Sequence, residues 1–575
     1  MKGTRGSRVR RLSLAFLATI GLILGAEAVL RVKRGPPPPD RVWPDFDFYY
    51  SDIYKKFFRL TSDGSTGSRL YVTNRPRATP QQFSAEKPAG LVRIFVVGGS
   101  VAIGYSGGAQ DRMRRYLSRI FPGKDFEVIG CGMGGYDSYR DSMVQQEILD
   151  YHPDAVVLLS GNNEYYEPET ASPALYRLTS GLRRLWVFRL ALDLQAPRHP
   201  PTTLRDRLIN FEANLRLMAE RAKQKNVPMI FCTLPANIRD TPPLRAQPPL
   251  GDPDYLAARA ALEAGDDLAA ARLFERCVQA RPDEPFGHYW LAKTLDRRKL
   301  YAEARKHYLL ALDLDDPGER CSTARNKIIR RVANETGMIL ADLDAAFDGI
   351  ADQGMPDGRI FVDGCHWRRE YYALSSWVIL RSLDEWSRSV GTFLSPAGRW
   401  ERRWFEAEKS RVLKPTFDRE SLDAYGDEAV YKAMAAAAWE NGRLSEGALA
   451  LLDGAARRDS DRLDFLAESF GHLRPALEKY DWLNDSSGRM QEHWSDIAIN
   501  VGEAYRRQRN YPKALAYFDG VLRREPGRDL ALLLRAKTLS SLGRLREAKM
   551  SLARLSPTSR DLPEFAYWRR KIGVD

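Results

Sequence analysis

Apolar and polar positions follow two different rhythms along this chain. From Leu91 to about Leu250, and again from Ile328 to Arg388, short β-branched runs alternate with stretches of helical period. The runs are Arg93–Val97, Phe126–Ile129, Ala155–Leu159, Met229–Leu234 and Met338–Ala341, each the length of a buried strand. Between the third and fourth, Leu204, Leu208, Phe211, Leu215 and Met218 recur at spacings of 4, 3, 4 and 3, which is one face of a helix. Such alternation predicts a parallel sheet covered by helices on both sides, a three-layer α/β sandwich. The last two strands lie about a hundred residues apart, too far for one crossover, so a separate element is inserted between them.

The second rhythm is longer. Ala270, Phe274 and Pro282 are followed 34 residues on by Ala304 and Tyr308, with Pro317 one place late, while Leu291 and Ala292 fill apolar and small helix positions. Near the end Gly502, Tyr505, Ala514, Phe518 and Pro526 are followed at the same period by Ala536, Leu539, Ala548 and Leu552. Both stretches resemble tetratricopeptide repeats, helix pairs that bury their apolar faces by stacking. A weaker unit at Glu428–Asp459 caps the second array. The organisation expected is an N-terminal segment (1–34), a lead-in (35–90), an α/β domain in two parts (91–250 and 320–390), inserted repeats (251–319), a Trp- and Arg-rich connector (391–424) and C-terminal repeats (425–575). The lead-in holds one strand candidate, Leu70–Thr73. Leu175, Leu178, Leu182, Leu185, Phe188 and Leu192 mark a further amphipathic helix bearing Arg177, Arg183, Arg184 and Arg189, either a lid or membrane-surface helix or one packed on its own domain.

The N-terminus sets a location. Lys2, Arg5, Arg8, Arg10 and Arg11 precede an apolar segment from Leu12 to Ala26, extendable to Leu30, and Arg31, Lys33 and Arg34 follow. This is an export pattern with positive charge kept inside, nearly long enough for the ~20 residues of a membrane span. It reads as an uncleaved single-helix membrane anchor, with a signal cleaved near Ala26-Glu27-Ala28 as the alternative; in both cases the body is expected outside the cytoplasm. Gly35–Pro44 would be a stiff proline-rich stalk.

Composition is globular, 44% apolar and 28% charged over 575 residues, enough for several domains. The net charge of +13 is spread among acids, and no zinc-finger or RNA-binding spacing accompanies it. No nucleic-acid partner is expected, whereas attraction to anionic lipid or polysaccharide fits. The five cysteines, Cys131, Cys232, Cys277, Cys321 and Cys365, form no C-x-x-C pair or metal-like cluster. Cys131 and Cys365 share the expected rim of the sheet, as a bridge or as buried thiols.

Four blocks carry the candidate chemistry. Gly98-Gly99-Ser100 places a hydroxyl where a buried strand turns into a helix, a nucleophile or a helix cap. Gly130-Cys131-Gly132-Met133-Gly134-Gly135 is a glycine-dense loop able to aim backbone N–H groups at a ligand. Ser160-Gly161-Asn162-Asn163-Glu164 follows another strand. Asp363-Gly364-Cys365-His366-Trp367 puts one of only seven histidines three residues after an Asp.

The order and spacing of these blocks resemble the SGNH (GDSL-like) hydrolase family over Leu91–Leu250 and Ile328–Arg388. The resemblance implies a flavodoxin-like hydrolase fold and a serine esterase with Ser100 as nucleophile, His366 as base and Asp363 as its orienting acid. It also implies an oxyanion hole from Ser100, Gly135 and Asn163, with no metal and no cofactor. Gly99 and Glu164 replace the Asp residues usual after the leading Gly of the first block and the Asn of the third. Gly99, Glu164, Tyr165, Asn237 and Trp367 are the remaining candidates for lining the substrate site. Tyr165, Tyr166 and Trp367 form an aromatic wall or belong to the core, and Asn237, Arg239 and Asp240 line the pocket or cap a loop. Expected partners are an acylated carbohydrate or lipid as substrate, proteins on the repeats, and the membrane. The competing expectation is an envelope scaffold whose repeats carry the function beside a vestigial hydrolase domain; transfer to another hydroxyl in place of hydrolysis is equally compatible.

Overall fold

The computed structural model describes residues 21–33, 56–75, 78–106, 108–164, 203–244, 246–315, 318–390, 443–456 and 493–574, with a few single positions between. The apolar segment before residue 21, the proline-rich stalk, Tyr165 and Tyr166, nearly all of the Leu175–Leu192 face, the connector and most of 425–489 lie outside the described residues. The chain divides into two compact units, Met1–Glu86 with Tyr166–Arg207, and Lys87–Tyr165 with Leu208–Asp575.

In the first unit a helical segment spans 21–33; its Glu27 is buried and pairs with Arg31 at 2.7 Å. No helix among the described residues is long and apolar enough to cross a membrane. Strands β1 (Phe58–Ser62), β2 (Arg69–Thr73) and β3 (Gln82–Ser84) form an antiparallel sheet in that order. Phe58 and Phe83 meet edge to face at 5.0 Å and are both buried. The sequence pattern predicts only the middle strand; β3 has just three residues and β1 exposes Arg59, Leu60 and Ser62, so neither carries a readable alternation.

The second unit holds the parallel sheet. β4 (Leu91–Gly98), β5 (Asp125–Gly132), β6 (Ala155–Leu159), β7 (Met229–Cys232) and β8 (Ile339–Ala341) are ordered β5-β4-β6-β7-β8, and every pairing is parallel. Arg93, fully buried in β4, is tolerated because Glu127 on β5 and the Tyr151 carbonyl take its guanidinium at 2.6 and 2.9 Å. The chain leaves β4 for β5 on one side and returns to β6 on the other. The switch point, where open α/β sheets form a crevice, therefore lies between the carboxyl ends of β4 and β6.

The helices around this sheet are α1 (Ser100–Ile103), α2 (Ala109–Ile120), α3 (Ser138–Ile148) and α4 (Leu204–Gln224). α4 buries Phe211, Leu215 and Met218, the predicted face. Between β7 and β8 four helices are inserted, α5 (Pro253–Ala264), α6 (Asp267–Ala280), α7 (Pro285–Arg297) and α8 (Tyr301–Leu314). Asp252, Asp266 and Glu284 cap three of them with side-chain carboxylates, as carboxylates at helix N-termini do. Ala270, Phe274, Leu291, Ala292, Ala304 and Tyr308, the positions of the 34-residue period, are all buried in one core. α9 (Thr323–Thr336) leads back to β8, followed by α10 (Leu343–Ile350) and α11 (Tyr372–Val390).

The C-terminal array comprises α12 (Glu446–Ala456), α13 (Trp494–Arg507), α14 (Tyr511–Arg524), α15 (Asp529–Ser541), α16 (Leu545–Ala553) and α17 (Pro563–Ile572). α12, in the weaker predicted unit, shares the core of this array through Ala448, Leu449 and Leu452. Helix α13 also reaches the inserted repeats. Arg506 bonds Glu503 on its own helix at 2.6 Å and Glu263 on α5 at 3.1 Å; Arg506 and Glu503 are buried and Glu263 is partly exposed. Arg507 and Arg259 both reach Glu446, at 3.0 and 3.5 Å. Burial, the largest single influence, would raise the Glu503 carboxyl, but the charge and hydrogen bonds of Arg506 together with the charges of Arg507 and Lys537 outweigh it and hold the group down at about 2.

Candidate active site

Ser100 opens α1 directly after β4. The cap position is Gly99, and no side chain caps this helix, so the hydroxyl is not spent as a cap. Instead Ser100 Oγ lies 2.7 Å from His366 Nε2. The turn is held from below by α11, where Tyr372 donates to the Val101 carbonyl at 2.9 Å and Ser375 meets Tyr105 Oη at 2.6 Å.

His366 sits in a tight loop closed by the Phe361–Trp367 bridge and by the Val362 N–H donating to the His366 carbonyl at 2.8 Å. Asp363 is pinned inside it: Oδ1 accepts from the N–H groups of Cys365 and His366 at 3.0 and 2.8 Å. Oδ2 lies 2.7 Å from His366 Nδ1. A carboxylate only accepts, so the imidazole proton belongs on Nδ1 and Nε2 is left to accept from Ser100. The side chains of His366 and Asp363 remain 31% and 20% exposed, which leaves the pair open to a large substrate.

Asn163 follows β6, across the switch point. Its Nδ2 donates one hydrogen to the Tyr136 carbonyl at 3.0 Å, leaving the second hydrogen of the amide for another acceptor. A Cβ on Gly99 would stand only 2.6 Å from this nitrogen, so the amide lies against the nucleophile's turn. Asn162 is structural, its Oδ1 accepting from the Cys321 N–H at 2.9 Å. Gly135 has a φ of 71° in the turn closed by the Tyr136 N–H on the Met133 carbonyl, a conformation that favours glycine.

Three proposed substrate residues are placed elsewhere. Glu164 is buried, and its carboxylate accepts from the N–H and Oγ of Ser138 at 2.9 and 2.7 Å. It therefore grips the start of α3 behind the glycine loop. Burial first, then the nearby Asp137, pushes its carboxyl up to about 7, against the opposing charge of Arg325. Asn237 is buried and braces the acid loop, donating from Nδ2 to the Asp363 carbonyl at 3.1 Å and from its N–H to the Gly364 carbonyl at 2.9 Å. Trp367 is core, 2% exposed and packed on Phe347 and Tyr372. Gly99 is at the site, but it makes room for Asn163; the fifth candidate, Tyr165, lies outside the described residues.

The sequence pattern left a buried polar layer behind the loop unread. Asp137 caps α3 and pairs with Arg140 at 2.6 Å. Asp141 beside them is fully buried, and burial raises its carboxyl far above the ordinary range. The Asp137-Ser138 step after a glycine turn is the cap signal that could have revealed the first of these.

The five cysteines are buried thiols and form no disulfide, including Cys131 with Cys365. Cys365 Sγ lies 3.5 Å from His366 Nδ1, and burial raises its thiol. Asp363, Cys365 and His366 present possible metal-ligand atoms within 4.8 Å of one another. Both imidazole nitrogens are already engaged by Asp363 and Ser100, however, which organises the group around moving a proton.

No protein-family model matches the chain, and no curated protein matches it either. Among solved structures it is similar to a lipase/acylhydrolase from Enterococcus faecalis, at 15% identity and a TM-score of 0.26 over 51% of this chain and 95% of that one. It is also similar to the acetylxylan esterase Axe2 from Geobacillus stearothermophilus, at 13% identity and a TM-score of 0.27 over 54% and 97%. A match to yeast Tom70 has 13% identity and a TM-score of 0.15 over 76% and 85%.

Proposed function

We propose that the protein is a serine esterase acting on an acyl ester, O-acetyl in the simplest case, of a carbohydrate or lipid. The observation that carries the reading is the continuous bond chain from Ser100 Oγ through His366 to Asp363, each link 2.7 Å long. His366 takes the Ser100 proton as Oγ attacks the acyl carbon, and Asp363 stabilises the imidazolium. The carbonyl oxygen becomes an oxyanion facing the Asn163 amide and the N–H groups of Ser100 and Gly135. Collapse forms acyl-Ser100 as His366 passes its proton to the leaving alkoxide. Water, activated by the same histidine, then releases the acid; a second hydroxyl in place of water would make the protein an acyltransferase.

The export-type N-terminus supports a site held outside the cytoplasm at a membrane, and the exposure of His366 and Asp363 suits an ester on a polymer or a surface. The repeats would recruit protein partners. The test is labelling of the full-length chain with a fluorophosphonate and location of the adduct by mass spectrometry. Labelling at Ser100 that vanishes in Ser100→Ala and His366→Ala is expected. A folded chain that is not labelled would reject the reading in favour of a scaffold.

A further inference from the structure

We infer that the inserted repeats are a working part of the catalytic scaffold. Helix α7 holds the loop that holds Asp363, which makes Arg239 and Asp240 positioning residues for the acid–base pair. This inference rests on the esterase reading of Ser100, His366 and Asp363.

The chain of contacts begins at the repeats. Arg239, on the loop after β7, forms a two-pronged ion pair with Asp296 of α7, both N···O distances being 2.7 Å. The adjacent Asp240 takes Lys293, one turn earlier on the same helix, at 2.9 Å. These pairs are largely buried, with side-chain exposures between 10% and 25%. Planar two-pronged pairing fixes direction as well as distance, so α7 sets where residues 239 and 240 lie.

The same short loop braces the segment that carries Asp363. The Asp240 N–H donates to Asn237 Oδ1 at 3.0 Å, which orients the amide so that Nδ2 reaches the Asp363 carbonyl. Asp240 Oδ2 accepts from the Gly358 N–H at 3.1 Å, and the Ile238 N–H donates to the Pro356 carbonyl at 3.1 Å. A second helix of the insertion props the other end, with Arg305 of α8 donating to the Gly354 carbonyl at 2.9 Å. Residues 354–366, with Asp363 and His366 at their end, are thus held between the sheet and the repeats. Arg320, at the exit of the insertion, closes the frame by donating to the carbonyls of Asn237 and Thr241 at 3.2 and 2.8 Å.

An imidazole that must meet Ser100, and the carboxylate that must meet the imidazole, tolerate little displacement; a shift of about 1 Å can cost on the order of 10²-fold in rate. Placing the repeats in the crossover just before the acid-bearing segment makes their seating a condition of activity.

The experiment compares the full-length wild type with Asp296→Asn and with the charge-exchanged double variant Arg239→Asp/Asp296→Arg. Acylation rate with a fluorophosphonate, kcat and KM on a short p-nitrophenyl ester, and hydrogen exchange across residues 354–366 are the readouts. In Asp296→Asn the acylation rate and kcat should fall about tenfold with KM unchanged. Exchange across the segment should quicken, and the exchanged pair should recover only part of the loss, because Arg239 also bonds Asp352 at 2.9 Å and that contact is not restored. Should Asp296→Asn fail to fold, Lys293→Met tests the neighbouring link with the same readouts. A folded variant with unchanged acylation and unchanged exchange overturns the inference. A wild type that is not labelled rejects the esterase reading instead, and exchange across the segment then decides for or against the brace.

Discussion

Replacing Gly99 with alanine probes the proposed oxyanion side of the site through geometry alone. Gly99 has a φ of −70°, which any L-residue adopts, so the substitution brings no backbone strain. It brings a methyl group whose position is 2.6 Å from Asn163 Nδ2 and 3.0 Å from the Tyr136 carbonyl oxygen. Ordinary contact begins near 3.4 Å, so the amide must retreat by about 0.8 Å, away from the nucleophile's turn and off its bond to Tyr136. Loss of an oxyanion donor costs roughly 10²–10³-fold in kcat, or about 3–4 kcal/mol, and a displaced donor should lose about 10²-fold. The assay is single-turnover acylation of the full-length chain, with a thermal melt to confirm folding. The double-mutant cycle with Asn163→Ala is decisive. Once the amide is gone the methyl has little left to displace, so Gly99→Ala should add almost nothing in that background. Equal costs in both backgrounds, or a fully active Gly99→Ala, would refute the reasoning.

Two further outcomes follow from buried charge. Glu164 has a folded-state value of about 7, above the ordinary 4.5, so its stabilising contribution is fully present below about pH 4.5 and is lost as pH rises through about 7. Glu164→Gln, which keeps an acceptor for the Ser138 N–H, should flatten the decline in melting temperature across that window; an unchanged pH profile would count against it. Arg506→Met strips the shared cation from Glu503 and Glu263 and should cost about 3–5 kcal/mol in denaturant unfolding of the repeats. Since the Glu503 carboxyl is depressed, that deficit should be full above about pH 4.5 and shrink as pH falls toward about 2. An equal deficit throughout would point to packing.

The parallel sheet was readable because its strands are buried on both faces, so hydrophobic runs such as Ile94–Val97 stand out against their surroundings. The repeats were readable because a 34-residue period places Ala270, Phe274, Ala304 and Tyr308 in one core. Residues acting across long separations were harder. Asn237 meets Asp363 over 126 positions, a contact no local pattern encodes, and from sequence it reads equally as pocket or loop. Trp367, next to the histidine, looks like a sugar platform until Phe347 and Tyr372 are seen to enclose it. Glu164, next to the oxyanion candidate, faces the start of α3 because Ser138 offers it two donors.

The placement of the insertion also bears on synthesis. Ser100 and His366 are 266 residues apart, and at 5–20 residues per second a ribosome needs roughly 13–53 s to travel between them. During that interval the nascent chain carries a serine with no base beside it, and the four inserted helices emerge before the histidine does. A chain truncated between Cys232 and Ile339 has the first four strands of the sheet and a serine without its histidine, so the proposed catalytic group is complete only after the repeats have been made.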